Sequence, residues 1–266
     1  MSKKPKTKFR PVGQCKLCLQ TKELCLSHYL PHALYKKSRY GGKGNPNPML
    51  ITAKAAVQTS DEIRDYVLCQ ECEDLFNKNG ESYAMSQVNE KGRFPLMLSL
   101  MDMKPTKVAH GFAGYSQQAA PGIDRDKLAY FAISVFWRGS VYAWEKPEKP
   151  DPPLSLGPYG ERFRTYLLGE TGFPANTMLL LVVCTDNHSQ NTFYTPSRGL
   201  KDQNTSYTFQ TRGLNYFLMV GKQIPDDLRG NCLVTGEERR IMMRSCEEKV
   251  VEATARLLKG RKPEWK

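Results

Sequence analysis

Four cysteines stand in two pairs of equal spacing, Cys15-Lys16-Leu17-Cys18 and Cys69-Gln70-Glu71-Cys72. Two residues between thiols let a tight turn aim both sulfurs at one ion, and two such turns complete the tetrahedron that zinc prefers. The chain has eight cysteines and is expected to stay in the cytosol, so its thiols read as metal or thiol chemistry rather than as disulfides. Cys25, three residues before His28, is open to two readings, a competing ligand or a core thiol. Cys184, Cys232 and Cys246 read as ordinary thiols. A redox role is remote, because no βαβ pattern surrounds either pair. Between the pairs lies Leu26-Ser27-His28-Tyr29-Leu30-Pro31-His32, with two of the four histidines. Imidazole is the side chain best suited to accept a proton near neutral pH.

These residues must be delivered by defined elements. Leu24 to Leu30 reads as an extended segment ending at Pro31, and Ala33 to Arg39 as a helical turn. Tyr40 to Pro48 is a loop of Gly, Asn and Pro. A turn at Thr59 to Glu62 leads into a strand, Ile63 to Leu68, that ends at the second cysteine pair. The spacing of Leu75, Phe76, Tyr83 and Val88 predicts a helix from Glu71 onward, weakened at Gly80. Beyond a mixed stretch from Phe94 to Tyr115, Lys127 to Glu145 is the most apolar helical segment, and Trp137, Arg138 and Trp144 read as its packing. A Pro-rich linker, Lys146 to Pro153, precedes a helix over Gly160 to Glu170. Strands are expected at Met178–Thr185, Tyr207–Thr211 and Tyr216–Gly221, and a closing helix at Glu247–Lys259. The fold class is therefore α+β, in three portions: a flexible basic arm over 1–12, a zinc-binding module over 13–92, and an α+β domain over 93–266.

The chain of 266 residues has a formal net charge of +12. Residues 1–50 hold eleven lysines and arginines against a single acid, Glu23, while the other residues hold twenty-eight against twenty-six. Basic charge gathered in about one fifth of the chain is the footprint of a protein that docks on polyphosphate, and nucleic acid is the expected partner. Lys36, Lys37 and Arg39 are the candidate backbone contacts. The longest apolar run, Met178 to Cys184, is far short of the roughly 18 residues of a membrane span, so no membrane partner and a cytoplasmic location are expected. No GxSxG, phosphate-binding loop or dinucleotide fingerprint occurs.

The order CxxC, apolar strand ending in Ser27-His28-x-x-Pro31, then CxxC opening a helix resembles the HNH endonucleases, also called ββα-metal or His-Me finger nucleases. The likeness covers about residues 12–85. It implies a zinc-stapled ββα-metal module in which Cys15, Cys18, Cys69 and Cys72 hold structural zinc. It also implies a metal-dependent endonuclease acting on DNA, with His28 as general base and a catalytic Mg²⁺ or Mn²⁺ held by Glu73 and Asn77. Glu81, one turn beyond Asn77, is a further candidate ligand, and family habit suggests a homodimer. Two positions depart from the family pattern: Ser27 stands where an acid or histidine is common before the base, and Glu73 where His or Asn is common after the second pair. The rival reading is a non-catalytic zinc-dependent module that binds nucleic acid while the C-terminal domain recruits a partner.

Overall fold

The computed structural model describes residues 10–34, 49–51, 56–58, 62–88, 93–144, 154–190, 192–201 and 204–245. Most of the basic arm, the helical turn beyond residue 34, Lys36, Lys37 and Arg39, the loop over 40–48, the linker over 146–153, Cys246 and the closing helix lie outside these residues.

Two sheets organise the chain. The smaller has the order β1-β2-β5 and is built from Val12–Gln14, Thr21–His28 and Arg64–Cys69. Its strands are antiparallel, with Leu24 opposite Cys69 and His28 opposite Arg64. Helix α1, Gln70–Phe76, starts where β5 ends, so strand and helix meet at a cysteine. A turn of π-helix, Asn77–Glu81, then leads directly into α2, Ser82–Val88. The helix expected from Glu71 onward is thus continuous but underwound by one wide π turn at Gly80.

The larger sheet has nine strands. The strands not yet given are β3 Met49–Ile51, β4 Ala56–Gln58, β6 Lys107–Ala109, β7 Phe112–Tyr115, β8 Thr177–Cys184, β9 Thr192–Lys201, β10 Asn204–Thr211, β11 Leu214–Val220 and β12 Ile241–Arg244. Their order is β4-β3-β9-β10-β11-β8-β12-β7-β6, antiparallel except where β3 meets β9 and β12 meets β8. The segment between the cysteine pairs therefore lends two strands to the sheet of the C-terminal half. A single apolar cluster, running from Cys15 to Ile241, joins the expected 13–92 and 93–266 portions. Overall the protein is mixed α+β.

The mixed stretch after Phe94 resolves into α3, Pro95–Met101, and the β6–β7 hairpin. His110 and Gly111 both take positive φ at the hairpin turn, at 51° and 76°, the conformation a tight two-residue connection requires. The most apolar helix, α4, spans Arg125–Val141 and starts at Asp124, whose side chain accepts from the Lys127 N–H at 3.0 Å. It is apolar around most of its circumference because it is covered on both sides. Towards the large sheet, Phe131 meets Phe209 and Tyr216 edge-on, with ring centroids 6.2 and 5.9 Å apart. Towards the cysteine module, Trp137 meets Phe76 at 6.0 Å. Helix α5, Tyr159–Leu167, packs on α4 through Tyr130 and Tyr166. Among the described residues no helix is long and apolar enough to cross a membrane.

Gly80 has a packing reason for its place. A Cβ there would lie 2.7 Å from the Phe131 backbone nitrogen and 2.9 Å from its Cα, so the π turn and α4 touch backbone to backbone. Gly80→Ala is expected to cost about 2 kcal/mol of stability, since the obstacle is main chain and cannot rotate away. Urea denaturation against the wild type measures this.

Candidate functional site

The first cysteine pair sits on the turn from β1 to β2. Leu19 closes the turn in the left-handed region at φ 62°, donating its N–H to the Cys15 carbonyl at 2.9 Å. The Lys16 N–H donates to the Val67 carbonyl at 3.1 Å, pinning the turn to β5. Cys69 ends β5, and Cys72 lies in the first turn of α1. The four sulfurs all lie within 4.8 Å of one another, with Cys18 and Cys69 at 3.9 Å. Sulfurs about 2.3 Å from a tetrahedral zinc would be about 3.8 Å apart, so the group could hold such an ion with little movement. Cys15 is poised as a thiolate: the hydrogen bond from Cys72 lowers its pKa to about 4 against the opposing effect of burial. Its neighbour Cys72 is raised by the same bond and by burial, and Cys69 chiefly by burial. A bound cation would displace those remaining protons. Cys25 stands outside the group, its thiol donating to Gln70 Oε1 at 3.3 Å, and Cys184 and Cys232 are buried.

On the other side of α1 lies a cavity of about 230 Å³ lined by His28, Pro31, His32, Gln70, Glu73, Asp74, Asn77, Glu81 and Arg138. Its helical wall follows from periodicity, since residues 70, 73, 74 and 77 share one face of a 3.6-residue helix. His28 closes β2, and His32 follows Pro31 around the next turn. Both rings converge on one carboxylate oxygen, Glu62 Oε2, with His28 Nε2 at 2.9 Å and His32 Nδ1 at 3.0 Å. Burial lowers the His28 pKa below the ordinary histidine value, outweighing the bond to Glu62, which favours the charged ring. Burial also pushes Glu62 up, but the two histidines more than offset it and leave the carboxylate lowered. Glu73 is raised by burial, with Arg138 pulling the other way. Its Oε1 is buried with no hydrogen-bond partner among the described residues.

The expected site residues therefore divide. His28, Glu73 and Asn77 line one cavity, and the four cysteines gather separately at the start of the same helix. Asn77 Oδ1 accepts from Ser82 Oγ at 2.5 Å. Glu81 points at the cavity but is held by Arg138, so its carboxylate is an ion-pair partner. Ser27, at the position that departs from the HNH pattern, is buried, and its hydroxyl accepts the Leu68 N–H at 3.1 Å across the hairpin. Two residues were not expected at the site. Glu62 reads in sequence as part of a turn, and Arg138 as packing beside Trp137. The latent signal for Arg138 was a lone cation in the middle of an apolar helix, a position that demands a buried partner. No family model matches the chain, and neither a curated protein nor a solved structure is found to be similar to it.

Cys69→Ser is expected to abolish tight zinc retention and to lower stability substantially, because ligand binding at such a site is also folding free energy. Metal analysis after dialysis against a mild chelator, paired with thermal unfolding, reads both effects. Cys25→Ser should leave zinc retention unchanged.

Proposed function

We propose that the cavity hydrolyses phosphodiester bonds in nucleic acid, DNA in the first instance, with His28 as general base. The observation that carries this reading is the convergence on one cavity of a histidine kept neutral by burial and a buried carboxylate oxygen with no hydrogen-bond partner among the described residues, Glu73 Oε1. Such an orphaned oxygen suits a hard divalent ion such as Mg²⁺ or Mn²⁺, with the amide of Asn77 as a second oxygen donor. That ion would supply charge neutralisation at the phosphate as the bond breaks.

The protein's own groups account for the proton. Glu62 lies 2.9 Å from His28 Nε2 and orients the ring, which would serve as the general base for the attacking water. The hydrogen bond from Arg138 Nη1 to the His28 carbonyl, at 2.6 Å, fixes the strand end that carries the ring. The hairpin and helix stay apposed through the four-cysteine group. The basic excess of the first fifty residues would draw a polyanion to the chain.

Cleavage of supercoiled plasmid, single-stranded DNA and RNA, each with Mg²⁺, Mn²⁺ or EDTA, tests the reading. Metal-dependent cutting is expected, and His28→Ala should lower its rate by about 10²-fold or more while keeping zinc and fold. No cutting of any substrate by the wild type, together with salt-sensitive binding, would overturn hydrolysis in favour of a non-catalytic binding module.

A further inference from the structure

His28, His32 and Glu62 present three ligand atoms that lie within 4.8 Å of one another. We propose that this trio is a second metal site, distinct from the four-cysteine group, that takes a divalent ion of the zinc class. The proposal goes beyond the hydrolytic reading and does not depend on it.

The convergence is built by backbone rather than by chance meeting of long side chains. The Tyr29 N–H donates to the Ile63 carbonyl at 2.9 Å, so the segment after β2 stays paired with the segment before β5 and sets Glu62 opposite the histidines. The Leu34 N–H donates to the Pro31 carbonyl at 2.8 Å, closing the turn that carries His32. Leu30 and Leu34, on either side of that turn, are fully buried. Arg138 holds the His28 carbonyl from behind. The ligands are therefore positioned before any ion arrives, which keeps the reorganisation on binding small.

The distances fit an ion replacing two protons. His28 Nε2 and His32 Nδ1 are 2.9 and 3.0 Å from Glu62 Oε2. Ligands about 2.05 Å from a tetrahedral centre would sit about 3.3 Å apart, a change of a few tenths of an ångström for those two pairs, while the two ring nitrogens, within 4.8 Å of each other, would settle at the same spacing. Two imidazoles and one carboxylate select zinc-class ions over Mg²⁺ or Ca²⁺, which favour all-oxygen shells. Two of the three ligands, His28 and His32, line the cavity, so three protein ligands there would leave a coordination position for water, unlike the closed four-sulfur group. Among the described residues lining the cavity the cation, Arg138, is engaged by Glu81, and the Glu62 carboxylate supplies negative charge against Arg64, which acts on His28 from the neighbouring strand. An imidazole bonded to an ion cannot take a proton from water, so ligand and base are alternative uses of His28.

Metal content decides the matter without any activity measurement. The full chain, saturated with zinc chloride and then desalted, is expected to carry two zinc ions. His32→Ala and Glu62→Gln should each carry one, the retained ion at the cysteines certifying that the variant is folded. A wild-type chain with one zinc or none overturns the proposal, as does a second ion that persists in both variants. Either result leaves the hydrolytic reading standing, and a failed cleavage assay leaves the metal count untouched.

Discussion

A single buried guanidinium fixes how the parts of this protein meet. Arg138 comes from the middle of the apolar helix α4 and is 1% exposed, and an unpaired charge there would cost several kcal/mol. Its donors are therefore answered from three directions. Nη1 donates to the His28 carbonyl at 2.6 Å, Nη2 to Glu81 and to Ser134 Oγ, and the planar group lies over the Phe76 ring. Strand β2, the π turn and α4 cannot separate without stranding that charge. The position of His28 is set in the same way, since its carbonyl is one of the partners.

The contact with Glu81 depends in turn on how near the two helical segments can come. Gly80 allows it, because the absence of a Cβ lets the π turn rest on the Phe131 backbone. Gly139 performs the same service two turns further along α4, where a Cβ would strike the Tyr29 hydroxyl. Tyr29 then stacks on Trp144 with centroids 5.1 Å apart, so the residue after His28 is clamped as firmly as the one that carries the ring. Close approach at two glycines converts a long apolar helix into the rear wall of a polar cavity.

Local patterns made part of this visible in the sequence. The paired cysteines, the strand ending at His28 and the apolar run of α4 each announce themselves within about fifteen residues, by spacing or periodicity. What remained hidden is nonlocal. β9 contains Pro196, which argues against a strand, yet the register shift between Thr208 and Gln210 places that proline in a bulge where its missing N–H is not needed. β3 and β4 join the large sheet through a parallel pairing with a strand more than 130 residues away. Arg138 lines the cavity, and Glu62 meets the histidines that line it, only because separate elements converge there, and no local pattern encodes a meeting of residues 28, 62 and 138.

Helix α1 links the two chemistries by its register. Cys69 and Cys72 direct their sulfurs to one side, where the site is closed by four soft ligands. Gln70, Glu73, Asp74 and Asn77 line the cavity with the imidazoles, a direction turned by about 120° around the helix. With about 100° per residue, advancing the strand-to-helix junction by one position would turn a cysteine towards the cavity and a carboxylate towards the sulfurs. The junction is held against such a slip by the Cys69 N–H, which donates to Cys15 Sγ at 3.4 Å, and by Leu24 facing Cys69 in the ladder. An ion bound by the four sulfurs would strengthen the same constraint. The cysteines therefore shape the cavity from a distance: they fix the angle at which α1 presents its polar face to His28.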